Sequence, residues 1–103
     1  VKYRSSKRAL ALAITQEVKR AVHKRDGGRC VWCGRPGLPE AHFVRRSKGG
    51  LGIEQNILTL CRPCHYNFDS GINRETMRDF FRKYLKVKYP DWDEEKLYYR
   101  RFQ

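Results

Sequence analysis

Cys30-Val31-Trp32-Cys33 and Leu60-Cys61-Arg62-Pro63-Cys64-His65 decide how this chain folds. They hold all four of its cysteines, as two Cys-x-x-Cys pairs with 27 residues between them. At that spacing both sulfurs of a short turn bite one metal, and two such pairs complete the tetrahedron that zinc prefers. Gly34, directly after Cys33, suits a tight turn whose backbone N–H groups point at thiolate sulfur. Such a site is structural, because four thiolates leave no open coordination position and a small core needs a staple. The competing pattern is two disulfides in a small secreted protein. It would call for a secretory leader, and here the basic start Val1–Arg8 is followed by only six apolar residues. A first residue of Val rather than Met suits a processed protein or a fragment.

Around this centre the chain is strongly basic. Among 103 residues, 23 Lys and Arg face 11 Asp and Glu, a net charge of +12. Residues 1–29 carry +7, residues 30–70 only +2 and residues 71–103 +3, so cationic flanks enclose a nearly neutral cysteine core. A polyanion is the expected partner. No apolar run reaches the length of a bilayer, so no membrane is expected; the expected location is the cytoplasm of a bacterial or phage-infected cell. One domain is expected over residues 1–103: a basic N-terminal segment (1–14), a core (15–70) and a C-terminal helical extension (71–103). Oligomeric state has no signature here.

Local patterns give the elements. Thr15 reads as an N-cap, with Ile14, Val18 and Val22 at helical spacing and Asp26-Gly27-Gly28 as the stop. Arg29–Trp32 and Glu40–Val44 read as two short strands, and Ser47–Gly52 as a glycine-rich loop. Pro63 suits an early position in a helix that carries Cys64, His65 and Asp69. Asn73 is placed to cap a further helix whose Met77, Phe80, Phe81, Tyr84 and Leu85 form an apolar face. Tyr89-Pro90 ends that helix, and Asp91 caps a last one through Arg101.

Three positions can carry chemistry. His42, alone on a strand, reads more readily as a packed residue than as a base. His65 and Asp69, four apart on a helix, share a face and can chelate a divalent ion. Arg62, at the helix start, sits where free N–H groups also attract anions. A zinc deaminase is excluded by motif, since His42 is followed by Phe43-Val44 and Pro63-Cys64 has no second cysteine two residues on.

Taken together, the run Glu40-Ala41-His42-Phe43-Val44-Arg45-Arg46-Ser47-Lys48-Gly49-Gly50, followed by Asn56-Ile57-Leu58-Thr59-Leu60-Cys61-Arg62-Pro63-Cys64-His65, resembles the HNH endonuclease family. The pattern is a strand His, two glycines seven and eight residues later, a loop Asn, and a Leu-Cys-x-x-Cys-His helix start. It covers residues 15–70 and looks most like the small four-cysteine nucleases of bacteria and their phages. The resemblance implies an α+β, ββα-metal (HNH, treble-clef-like) core, flanked by N- and C-terminal helices. A four-cysteine zinc at Cys30, Cys33, Cys61 and Cys64 would staple that core. It implies a metal-dependent DNA endonuclease or nickase leaving 5′-phosphate and 3′-hydroxyl ends, with His42, Asn56 and His65 as its namesake residues. His42 would be the general base, Asn56 would tie back the loop, and His65 with Asp69 would hold the catalytic ion. An oxygen-rich, partly open site suits Mg2+ or Mn2+, and the His also accepts Ni2+ or Zn2+. Arg45, Arg46 and Lys48, directly after the base, would line the phosphate path with Arg62. Phage packaging or other DNA-processing proteins are candidate partners. In this family the residue before the strand His is commonly a metal ligand, and here it is Ala41. The alternative is therefore a zinc-stapled DNA-binding or scaffold module with weak or no cleavage. Glu40 shares the strand face of His42 and is placed to orient it or to reach the ion.

Overall fold

A computed structural model describes residues 6–100 as a small α+β protein. Its order is α1 (Lys7–Leu12), α2 (Gln16–Arg25), β1 (Leu38–His42), β2 (Ile57–Leu60), α3 (Arg62–Ser70) and α4 (Arg74–Lys88), with single helical turns at Arg46–Lys48, Glu54–Asn56 and Glu94–Leu97. Among the described residues no helix is long and apolar enough to cross a membrane.

The helices begin where the chain supplies oxygen acceptors or proline. Ser6 Oγ accepts the Ala9 N–H at 3.0 Å to open α1, which the sequence reading leaves inside a basic segment. Thr15 opens α2 as expected, its Oγ1 accepting the Val18 N–H at 3.2 Å, and the positive φ of Gly27 and Gly28 stops it. Pro63 lies in the first turn of α3. Asn73 stands at the start of α4, but its side chain makes no capping bond.

The hairpin differs from the sequence expectation in both strands. Arg29–Trp32 is not a strand: Arg29 forms one isolated bridge with Pro36. Beyond it the Cys30 N–H reaches the Arg35 carbonyl at 2.6 Å and the Gly34 N–H the Cys30 carbonyl at 2.9 Å, curling the segment into a knuckle. The strand expected over Glu40–Val44 lies two residues earlier, at Leu38–His42, and pairs antiparallel with β2, Ala41 opposite Leu58 and His42 opposite Ile57. It ends at His42 because the Asn56 side chain takes both the N–H and the carbonyl of Val44. All four residues of β2 are buried.

The C-terminal segment also departs from expectation. In place of a helix from Asp91, the Asp93 side chain caps one short turn at Glu94–Leu97. The chain then runs extended, with the Leu51 N–H on the Leu97 carbonyl at 2.8 Å and the Tyr99 N–H on the Gly49 carbonyl at 2.7 Å. Arg101, the expected end of that helix, lies outside the described residues. The glycine-rich loop is thus clasped from both sides, and a Cβ on Gly50 would sit 1.7 Å from the Val44 oxygen.

The core lies between the hairpin and the α3–α4 pair. Phe68 of α3 meets Phe81 of α4 edge-on at 4.9 Å between ring centroids, and Phe43 packs on Phe68 and Trp92. Met77, Phe81 and Leu85 form the buried stripe of α4, while Phe80 of the expected face is largely exposed.

A polar keystone joins α2 to this core. The Arg25 guanidinium binds Asp26 through Nε at 2.7 Å and Nη2 at 2.9 Å, and donates to the Glu54 and Ile57 carbonyls. Asp26, its side chain fully buried, also accepts from the Tyr84 hydroxyl at 2.5 Å and from the Thr59 N–H at 3.0 Å. Burial opposes ionisation of Asp26, but the bonds from Arg25, Tyr84 and Thr59 prevail and hold its pKa below the ordinary 3.8. A depressed carboxylate contributes stability above its unfolded pKa, and that contribution fades as pH falls through the folded value. Asp26→Ala strands the Arg25 charge and is expected to cost about 3–5 kcal/mol in urea unfolding. The deficit should shrink on acidification below the ordinary carboxylate range.

Candidate active site and metal centre

Two sites share α3. The first is the cysteine cluster, where the four Sγ atoms lie within 4.8 Å of one another. Cys30 and Cys33 come from the knuckle, Cys61 caps the start of α3 and Cys64 lies in its first turn. All four are free thiols, and Cys33 Sγ is 3.5 Å from Cys61 Sγ. Tetrahedral bonds of about 2.3 Å to zinc set neighbouring sulfurs about 3.8 Å apart, so the cluster is of the right size to hold a metal ion. The Cys33 N–H points at Cys30 Sγ at 3.4 Å, the arrangement expected for the turn before Gly34. Burial pushes the Cys61 and Cys64 thiols up; Cys30 and Cys33 add to both shifts and Cys61 adds to that of Cys64, whereas the Cys64 backbone and side chain oppose the shift of Cys61. Cys33, exposed and hydrogen-bonded by the Arg35 backbone, falls to about 7. Four sulfurs this close resist ionising together without a cation, and a divalent ion removes that conflict by taking them as thiolates.

The second site is a cleft of about 470 Å³ whose lining includes Glu40, His42, Arg45, Arg46, His65 and Asp69. His42 comes from the end of β1, and His65 and Asp69 from α3, where His65 Nε2 lies 3.5 Å from Asp69 Oδ2. Helical rotation separates the faces of α3: Cys64 and Phe68 are buried, while the residues following each look into the cleft.

The orientation of His42 is fixed by a bond that the sequence reading does not foresee. Its Nε2 lies 2.9 Å from the Leu12 carbonyl oxygen at the end of α1. A carbonyl only accepts, so the ring donates from Nε2, and in the neutral imidazole Nδ1 holds the lone pair. Burial holds the His42 pKa below its ordinary 6.5; the Leu12 carbonyl and Asp69 oppose this, while Arg46 and His65 reinforce it. The ring is therefore neutral at pH 7, the state a general base needs.

Asn56 lies behind the cleft, fully buried, and closes the 43–56 loop. Its Oδ1 accepts the Val44 N–H at 2.7 Å, and its Nδ2 donates to the Val44 carbonyl at 3.1 Å and the Leu51 carbonyl at 2.8 Å. The Phe43 N–H, next to His42, bonds to the Asn56 carbonyl at 2.7 Å.

The basic residues divide. Arg45 and Arg46 line the cleft, with an Arg45 Nη donating to the Asp69 carbonyl at 2.5 Å and an Arg46 Nη to the Leu12 carbonyl at 3.4 Å. Lys48 belongs to a neighbouring pocket, and Arg62 is exposed at the far end of α3 without lining the cleft. Glu40 shares the cleft with His42, as strand alternation requires, and Ala41 is fully buried in the core. Among the described residues the cysteines are the only grouping of three or more metal-ligating side chains, so the cleft offers His65 and Asp69 as a two-residue ligand set. No protein-family model and no curated protein matches the chain.

Asn56→Ala would leave the Val44 N–H and two carbonyls without partners in the interior. Urea unfolding should show a loss of about 2–3 kcal/mol.

Proposed function

We propose that the chain is a metal-dependent DNA endonuclease of the HNH type, with a structural zinc on its four cysteines and a ββα-metal active site in the cleft. One juxtaposition carries this reading: a neutral imidazole with a free Nδ1 shares a basic-rimmed cleft with a His–Asp pair one helical turn apart. In this mechanism His42 Nδ1 takes the proton of the water that attacks phosphorus, while the Leu12 carbonyl keeps the ring in the required tautomer. His65 and Asp69 would hold a divalent ion, Mg2+ or Mn2+ by donor chemistry, which when bound supplies Lewis-acid stabilisation of charge on the phosphate and the leaving 3′ oxygen. Arg45 and Arg46 flank the base and draw the phosphodiester into the cleft. Asn56 acts as a positioning residue through the loop that follows His42.

The experiment is nicking of supercoiled plasmid with Mg2+, Mn2+ or Ni2+. His42→Ala should lower the rate by a factor of about 100 or more, and Asp69→Ala should raise the metal concentration needed. The base works deprotonated, so between about pH 5 and 8 the rate should climb with pH and level off near or below the ordinary imidazole value. A second reading, a zinc-stapled DNA-binding module, draws on the burial of Ala41, which leaves the cleft two side-chain ligands. Tight DNA binding without nicking under any of these metals would select it.

The zinc proposal has its own test. Stripping the cysteine-bound metal with a strong chelator should collapse the circular dichroism spectrum, whereas omitting Mg2+ should leave it intact. An unchanged spectrum after complete zinc loss would refute the staple.

A further inference from the structure

Beside the cleft lies a second, smaller pocket of about 240 Å³ whose lining includes Arg45, Lys48, Arg74, Glu75, Arg78 and Tyr98. Arg45 borders both, so the two adjoin. Four cations and one carboxylate line this pocket, and among the described residues none of the four cations forms a salt bridge. The fold itself gathers the guanidiniums. Arg45 and Arg74 both donate to the Asp69 carbonyl, at 2.5 and 3.5 Å, near the C-terminus of α3. Arg78 lies over the Phe43 and Phe68 rings, its guanidinium carbon 5.6 Å from each centroid, and reaches the Phe43 carbonyl at 3.5 Å. Each arginine is thereby held in place with most of its N–H donors unused. Four cations against a single carboxylate leave this concave site with excess positive charge, which favours an anion, and the forked donors match phosphate oxygens.

We infer that this pocket binds a backbone phosphate of the DNA strand next to the one in the cleft, with Arg74 and Arg78 of α4 as its principal donors. This deepens the proposed nuclease reading and rests on it for the identity of the polyanion. The role of α4 is then to extend the track of the strand past the catalytic residues. Base identity plays no part, since the contacts are to phosphate alone.

The test measures binding of a labelled duplex by fluorescence anisotropy over a salt series, in a His42→Ala background that keeps the substrate whole. Arg74→Gln with Lys48→Gln should weaken binding about tenfold at fixed salt. It should also lower the log–log salt slope by about one, the signature of one lost phosphate contact. Arg78 is left in place because it packs on the core, and thermal unfolding of the double variant should match the parent. With His42 restored, the double variant should need more DNA to reach half-maximal nicking. Unchanged affinity and slope in a folded double variant would overturn the inference, even where His42→Ala abolishes nicking. Reduced slope without nicking by the parent protein would uphold the pocket and overturn the catalytic reading instead. Binding of inorganic phosphate that the double variant loses, with DNA binding unaltered, would likewise overturn the assignment to a DNA strand.

Discussion

Four sulfur atoms within 4.8 Å of one another are the constraint on which the rest of this small fold turns. They bring together two stretches of chain, the knuckle after α2 and the first turn of α3. Cys61 is the N-cap residue and Cys64 lies one turn inside, so a metal ion on the four sulfurs would fix where α3 starts and how it is rotated. Once Cys64 and Phe68 are committed to the interior, the following residues are turned by about 100° onto the neighbouring face. His65 and Asp69 occupy that face. On the proposed reading, a zinc site with no open coordination position would thus determine the geometry of the cleft.

The opposite wall has separate supports. Asn56 fixes the loop after His42 by satisfying three backbone groups, and Leu12 fixes the ring by accepting from its Nε2. Electrostatics then serve two ends together. The positive charge of Arg46 disfavours protonation of His42, so on the proposed reading attraction of a phosphodiester and neutrality of the base would not compete.

What could be read in advance was what local residue identity encodes. The cysteine spacing, the Thr15 cap, the proline-initiated helix and the His65–Asp69 spacing all map onto the observed elements. So does Asn56, whose side chain ties the loop as expected. Illegible were the contacts in which a backbone group or a distant partner decides. The acceptor for His42 is a main-chain oxygen, and any residue at position 12 would supply it. Arg25-Asp26 reads locally as the charged end of a helix, and only the arrival of Tyr84, Thr59 and Ile57 makes it a buried keystone. Arg29–Trp32 has strand-forming residues, yet the knuckle bonds between Cys30, Gly34 and Arg35 take up the groups a ladder would use. Arg74 and Arg78 look like the solvated face of an amphipathic helix until the C-terminus of α3 is brought against them.

Ala41 bears on how tightly a catalytic ion would be held. Its methyl group lies in the core on the opposite side of β1 from His42, where a polar side chain would be buried beside Leu58 and Phe43. Ala41 thus gives the core, on the proposed reading, what it withholds from the metal site. On the proposed reading, an ion held by His65 and Asp69 keeps most of its coordination positions for water and phosphate oxygens. Ion and DNA must then strengthen each other's binding by the same factor, since linkage is reciprocal. The ion would load fully only with a strand in the cleft. The density of arginines along the cleft and the adjoining pocket fits that division of labour: the protein's cations hold the strand, and the strand completes the site for the ion.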